Sequence, residues 1–85
     1  MTSGKRQVLV IDDEIQIRRF LKTALEPHGF GVMEAESGSA GLVAVTSNRP
    51  DLVILDLGLP DISGLEVLRR LREWYESPII ILSVR

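Results

Sequence analysis

Three short runs of consecutive apolar residues mark the chain at intervals. The runs are Val8–Ile11, Leu52–Leu55 and Ile79–Leu82, and each contains β-branched residues. Uninterrupted apolar runs of this length are typical of strands that are buried on both faces of a parallel sheet. The pattern therefore predicts three such strands, and a weaker strand is predicted at 31–35.

The first segment between predicted strands carries apolar residues at helical spacing. This helix is predicted to follow the acids at 12–14 and to end before Pro27 and Gly29. We interpret its charged side chains as a solvated face on which Glu14 pairs with Arg18, four residues further on.

Capping signals locate two further helices. One is predicted to begin at a cap on Ser37 or Ser39 and to end near residue 48. The other begins with the capping-box pair Ser63 and Glu66 and runs to about Tyr75. Strands that alternate with helices imply right-handed βαβ units. The predicted fold class is therefore α/β, a doubly wound parallel sheet in the order β-α-β-α-β-α-β.

Composition narrows the class of protein. The 85 residues are 45% hydrophobic and 26% charged, which is the balance of one globular domain. A net charge of -2 argues against binding nucleic acid through a basic field, and the absence of cysteine excludes disulfides and thiolate metal sites. No apolar run approaches the length of a signal peptide core or a membrane span. We expect a cytoplasmic protein without direct contacts to nucleic acid or membrane.

Acidic and hydroxyl side chains occur at the carboxyl ends of the predicted strands. Asp12 and Asp13 come after the first strand, Asp56 after the third, and Ser83 after the last. In an open doubly wound sheet, ligands bind outside the carboxyl ends of the strands, where the strand order reverses. We therefore expect three carboxylates and one hydroxyl to converge there.

Clustered carboxylates repel one another unless a cation lies between them. Oxygen ligands without histidine or cysteine favour a hard ion, so Mg²⁺ is predicted, with Mn²⁺ as a substitute. Gly58 lets the following loop pass close to the ion and offer its backbone carbonyl. The predicted metal ligands are Asp12, Asp13, Asp56 and the carbonyl of Gly58.

Asp56 is also the predicted phosphoryl acceptor. A carboxylate with the ordinary aspartate pKa of about 3.9 is ionised at neutral pH and attacks phosphorus without a separate base. The cation, backbone N–H groups after Asp56 and the Ser83 hydroxyl are predicted to neutralise the charge of the transferred group.

Each of these residues also has a simpler interpretation. The acids at 12–14 could cap the first helix, Asp56 could form a turn, and Ser83 could cap a further helix. Their joint occurrence at one switch point favours the functional interpretation, because unrelated turn residues need not converge.

The segments 12–14 and 56–61, together with Gly64 and Ser83, resemble the receiver domain of two-component response regulators. The resemblance covers the whole chain, and segments 17–21, 57–61 and 81–83 are particularly similar to the Kdp group of potassium-responsive regulators. It implies a flavodoxin-like fold with strand order 2-1-3-4. It also implies a sensor histidine kinase as partner, and a switch rather than an enzyme beyond self-catalysed phosphoryl transfer and autodephosphorylation. The implied roles are phosphoacceptor for Asp56, magnesium shell for Asp12, Asp13 and the Gly58 carbonyl, and switch hydroxyl for Ser83.

The chain differs from this family in its C-terminal part. Receivers continue with a helix, a fifth strand that delivers a lysine to the phosphoryl group, and a last helix. The sequence ends at Arg85, and its lysines are Lys5 and Lys22. We therefore expect residues 1–85 to form a single receiver domain that is truncated at its C-terminus. The fourth strand would then expose unpaired backbone groups, which predicts self-association through this edge or exchange of elements between chains.

Two alternatives to a signalling receiver remain open. One is a truncated receiver fragment with structural or oligomerising behaviour and no competent switching, because the family lysine is absent. The other is a phosphohydrolase of the aspartyl-phosphate type, although such enzymes place two acids on one strand end and Asp56-x-Gly58 lacks the second acid.

Overall fold

A computed structural model of the protein describes residues 4–82. It contains four strands, three helices and a short 3₁₀ turn at Glu26–His28. The strands are β1 (Arg6–Ile11), β2 (Phe30–Ala35), β3 (Leu52–Asp56) and β4 (Ile79–Leu82), and the helices are α1 (Ile15–Leu25), α2 (Gly38–Asn48) and α3 (Gly64–Leu71).

All four strands are parallel and lie in the order β2-β1-β3-β4. This arrangement confirms the predicted fold class and strand order. β1 begins at Arg6, two residues before its apolar run, because Arg6 pairs with Phe30 at the start of β2. The order places β1 and β3 at the centre of the sheet and β4 at one edge.

Helices cover both faces of the sheet. On one face, Leu9, Ile11, Val53 and Leu55 pack with side chains of α2 and α3. On the other face, Val8, Val10 and Ile54 pack with Leu21 and Leu25 of α1. Burying a side chain of this size contributes roughly 1.5–3 kcal/mol. The apolar runs of β1 and β3 are therefore explained by burial on both faces.

Serine side chains cap two of the helices. The Ser37 Oγ accepts from the Ala40 N–H at 3.1 Å, which selects Ser37 rather than Ser39 as the cap of α2. The Ser63 Oγ accepts from the Glu66 N–H at 3.1 Å and begins α3. Both hydroxyls satisfy amides that a helix leaves without a partner in its first turn.

The prediction that α3 continues to about Tyr75 is wrong. The helix ends at Leu71, and a turn follows in which the Arg72 Nη1 donates to the carbonyls of Tyr75 at 2.7 Å and Ser77 at 3.1 Å. The buried Tyr75 hydroxyl donates to the Pro50 carbonyl at 2.7 Å, so this turn is fastened to the segment before β3. Within residues 4–82, no helix combines the length and apolar character required to cross a bilayer.

Candidate metal and phosphoacceptor site

The two central strands bring three carboxylates together. Ile11 and Leu55 are opposite one another in the parallel register, so Asp12 leaves β1 next to Asp56 at the end of β3. One carboxylate oxygen from each of Asp12, Asp13 and Asp56 lies within 4.8 Å of the others. The part of the expected convergence that concerns the three carboxylates is therefore present at the carboxyl edge of the sheet.

Asp12 is the most constrained member of this acidic cluster. Its residue is 5% exposed, its N–H donates to the Ala35 carbonyl at 3.0 Å, and its Oδ1 accepts from the Glu14 N–H at 2.8 Å. Burial raises the pKa of the Asp12 carboxyl, the Glu14 N–H partly opposes that rise, and the charges of Asp56, Asp13 and Glu14 add to it. The site therefore carries uncompensated negative charge, which a cation would relieve.

Gly58 lies beside the Asp56 carboxylate. A methyl group built on Gly58 would be 3.9 Å from the Asp56 Oδ2, an ordinary contact distance. The loop is closed behind Asp56 by the Gly64 N–H, which donates to the Leu57 carbonyl at 3.0 Å. A side chain on Gly64 would lie 2.5 Å from the Asp56 carbonyl oxygen and from the Leu57 Cα, so only glycine fits there. This close approach fixes the start of the loop that follows β3.

Asp61 is a structural residue of this loop that the sequence did not single out. Its Oδ1 accepts from the Gly38 N–H and its Oδ2 from the Ser39 N–H, both at 2.8 Å, at the beginning of α2. These hydrogen bonds hold the pKa of the Asp61 carboxyl well below its usual range. The amides lie 22 and 23 residues away in sequence, and no local capping pattern indicates such a contact.

The prediction that Arg18 lies on a solvated face beside Glu14 is wrong. Arg18 is 8% exposed; its Nε donates to the Glu34 Oε1 at 3.0 Å and its Nη1 donates to the Asp12 carbonyl at 2.8 Å. Helical spacing identifies neighbours within α1, whereas Glu34 belongs to β2 and becomes a partner only in the assembled fold. Arg18 therefore connects the first acidic turn to the edge of the sheet.

Ser83 lies outside the described residues, so its role as a phosphate contact stays a prediction. Leu82, the residue before it, pairs with Asp56 in the register of β3 and β4. The three carboxylates fit a small, hard divalent cation, because the ligand atoms that they offer are all oxygens.

A doubly wound parallel sheet with an acidic cluster at its central strand ends defines a class of α/β ligand-binding domains. The chain belongs to the response regulator receiver domain family, which matches residues 8–85. The resemblance inferred from the sequence is thereby confirmed.

Similar proteins support the same assignment. The chain is 54% identical over 78 residues to the KDP operon transcriptional regulatory protein KdpE of Escherichia coli strain K12, covering 92% of this chain and 35% of that protein. It is 53% identical to the KdpE of Mycobacterium tuberculosis H37Rv, covering 92% and 34%. The predicted similarity to the Kdp group is confirmed. The chain spans about a third of the length of these relatives.

Solved receiver structures share the fold. The response regulator TrrA of Thermotoga maritima, solved in complex with Mg²⁺-BeF, aligns with a TM-score of 0.89 and 41% identity, covering 94% of this chain and 70% of that one. The chemotaxis response regulator CheY4 of Vibrio cholerae aligns with a TM-score of 0.90 and 28% identity, covering 96% and 71%. The described strands and helices therefore correspond to part of a receiver fold.

Proposed function

We propose that this chain is the phosphoacceptor module of a two-component signalling system and that Asp56 accepts the phosphoryl group in a Mg²⁺-dependent reaction. The observation that supports the proposal most directly is the cluster of Asp12, Asp13 and Asp56 oxygens within 4.8 Å. Receiver domains of response regulators are phosphorylated by sensor histidine kinases, and such a kinase is the partner that we propose for this chain.

The residues that would hold Mg²⁺, or Mn²⁺ in its place, are Asp12, Asp13, Asp56 and the Gly58 carbonyl. When bound, the cation supplies positive charge that offsets the carboxylates and the oxygens of the incoming group. The cluster's own residues define the geometry: β3 presents the Asp56 carboxylate, and the buried turn at Asp12 presents a second carboxylate next to it.

Asp56 reacts as a nucleophile. One of its carboxylate oxygens forms a bond to phosphorus while the bond from phosphorus to the donor breaks, and the donor leaves with the electron pair. With acetyl phosphate the leaving group is acetate; with a kinase it is the imidazole of the phosphohistidine. No base is required, because an ionised carboxylate carries no proton to remove. Water later hydrolyses the acyl phosphate, and the Ser83 hydroxyl is proposed to contact the phosphoryl oxygens.

Intact-protein mass spectrometry tests this proposal. The chain is incubated with acetyl phosphate and Mg²⁺, and we expect the mass to increase by one phosphoryl group. Asp56→Asn and removal of Mg²⁺ with EDTA should each abolish the increase. Asp51→Asn is the matched control, because Asp51 is an exposed aspartate immediately before the same strand, where its Oδ2 accepts from the Gln7 N–H, away from the cluster. Absence of the adduct in folded wild-type protein would contradict the proposal.

We propose self-association through β4 as a second property of the chain. β4 is at the edge of the sheet, and its residues Ile80 and Ile81 are 49% and 37% exposed. An apolar edge strand without charged residues favours pairing with a strand of another copy. If this behaviour occurs without phosphorylation of Asp56, the chain functions as an oligomerising fragment rather than as a switch.

Sedimentation velocity at micromolar concentration tests the second proposal. We expect wild-type protein to form dimers or larger species, either by edge pairing or by exchange of elements. Ile80→Lys should shift the distribution to monomers, because a charged side chain on an edge strand opposes pairing. Glu26→Lys, an exposed change at the end of α1, is the control. A wild-type protein that remains monomeric would overturn this proposal and leave the phosphoacceptor proposal intact.

A further inference from the structure

We propose that Arg18 is a positioning residue for Asp12 in the cation site, an inference that rests on the proposed function. The guanidinium group donates to the Asp12 carbonyl at 2.8 Å through Nη1 and to the Glu34 Oε1 at 3.0 Å through Nε. It therefore joins the turn that carries the buried carboxylate to β2. Arg18 acts on the cation through Asp12 and does not itself bind the ion.

Asp12 is held from three directions. Its N–H donates to the Ala35 carbonyl at 3.0 Å, and its Oδ1 accepts from the Glu14 N–H at 2.8 Å. The Arg18 guanidinium fixes its carbonyl. The first two contacts involve backbone groups of β2 and of the residue before α1, whereas the third is made by the Arg18 side chain of α1.

Burial restricts the Arg18 side chain, whereas Glu34 is more exposed. The Arg18 side chain is 10% exposed and that of Glu34 is 29% exposed. A guanidinium group has a planar set of donors, so it reaches two acceptors in fixed directions, which the single ammonium group of lysine cannot reproduce in the same geometry. The Glu34 carboxylate, in turn, fixes the orientation of the guanidinium plane.

The positive charge of Arg18 makes it possible to distinguish a positioning role from a purely electrostatic effect on Mg²⁺ affinity. A positive side chain near a cation site opposes cation binding, so the charge of Arg18 by itself would weaken the affinity for Mg²⁺. Replacing Arg18 with a neutral residue would then strengthen binding if electrostatics alone mattered. If Arg18 positions Asp12, the same replacement weakens binding, because the second carboxylate is no longer held in place.

Isothermal titration calorimetry with MgCl₂ on the full chain tests the inference. We expect Arg18→Lys and Arg18→Gln each to raise the Kd for Mg²⁺ about 10-fold or more, which is the effect typical of losing a group that orients a metal ligand. Arg19→Lys is the matched control, since Arg19 is the exposed neighbour on the same helix. Its Kd should equal that of wild type.

Two results would overturn the inference. Tighter Mg²⁺ binding by Arg18→Gln would indicate electrostatics alone. A lower urea midpoint with an unchanged Kd would indicate a purely structural role. If Arg18→Gln does not fold, Arg18→Lys, which retains the charge and the aliphatic stem, decides between the outcomes.

The measurements also distinguish failure of the proposed function from failure of the positioning role of Arg18. If wild-type protein releases no heat with Mg²⁺ and forms no adduct with acetyl phosphate, the metal site itself is wrong. If wild-type protein binds Mg²⁺ and Arg18→Lys binds it equally well, only the positioning role of Arg18 is wrong.

Discussion

At the scale of single residues, Asp12 and Asp13 are adjacent but have different environments. Asp12 is buried and its Oδ1 accepts from the Glu14 N–H, whereas Asp13 is exposed at the mouth of the cluster. Asp13 therefore contributes charge to the cluster at little cost in burial. Because the Asp13 carboxylate lies close to two others, it destabilises the metal-free protein by charge repulsion. The same negative charge favours binding of a cation.

Asp13→Asn should stabilise the metal-free protein and weaken its affinity for Mg²⁺. Removing one of three neighbouring negative charges relieves repulsion of about 1 kcal/mol in a solvent-exposed setting. Urea unfolding in EDTA should show the higher midpoint, and calorimetry with MgCl₂ the higher Kd. Glu26→Gln removes an exposed acid at the opposite end of α1 and should change neither value. Unchanged Mg²⁺ affinity in Asp13→Asn would remove Asp13 from the ligand set.

At the scale of elements, Asp61 joins the loop after β3 to the beginning of α2. Each of its carboxylate oxygens accepts one backbone N–H of α2 at 2.8 Å. Gly38, which provides one of these amides, is so close to Ile62 that a methyl group on it would collide with the Ile62 Cγ1. The loop that contains Gly58 is thus held at Gly64, through the Leu57 carbonyl, and at Asp61, through the beginning of α2.

Asp61→Asn should destabilise the protein in a pH-dependent manner. The pKa of Asp61 is lower in the folded chain than its ordinary value of 3.8, so its contribution to stability is present above that value and is lost as the pH falls through the folded pKa. The difference in urea midpoint between wild type and Asp61→Asn should be constant from about pH 5 to about pH 8 and should shrink below about pH 4.

Hydrogen exchange gives a direct measurement of the same contact. At least one of the Gly38 and Ser39 amides should exchange faster in Asp61→Asn, because the asparagine side chain has one acceptor oxygen where the aspartate has two. Glu36→Gln, an exposed change two residues before α2, should leave both amides protected. Equal protection in wild type and Asp61→Asn would mean that Asp61 does not fasten the helix.

How much of the fold and of the site can be predicted depends on how far each sequence signal reaches along the chain. Apolar runs and helical spacing are local, and they predicted the alternating strands and helices. The doubly wound topology then predicted the convergence of Asp12 and Asp56, whereas the strand order was implied by the resemblance to receiver domains. Arg18 was misplaced because its ion-pair partner is on β2, 16 residues away. Asp61 was not singled out because its hydrogen bonds cross 22 and 23 residues. Contacts made only in the assembled fold leave no periodic pattern in the sequence.

At the scale of the whole molecule, the sheet is covered unequally from one edge to the other. Leu55, in central β3, is fully buried between neighbouring strands and helices. Ile80, in β4, is 49% exposed although its sequence context is just as apolar. Shortening an apolar side chain on β3 therefore measures the contribution of the core to stability. Shortening one on β4 measures the contribution of any contacts that the sheet edge makes with another chain.

Leu55→Ala and Ile80→Ala should separate these two contributions. Leu55→Ala should lower the free energy of unfolding by about 2–5 kcal/mol, because it leaves a cavity in the core. Ile80→Ala should cost less than about 1 kcal/mol in a monomer, since half of the side chain already contacts water. Self-association through β4 would bury Ile80, and its cost would then increase with protein concentration. Urea unfolding at two concentrations measures this: a concentration-independent, small effect of Ile80→Ala would contradict self-association through β4.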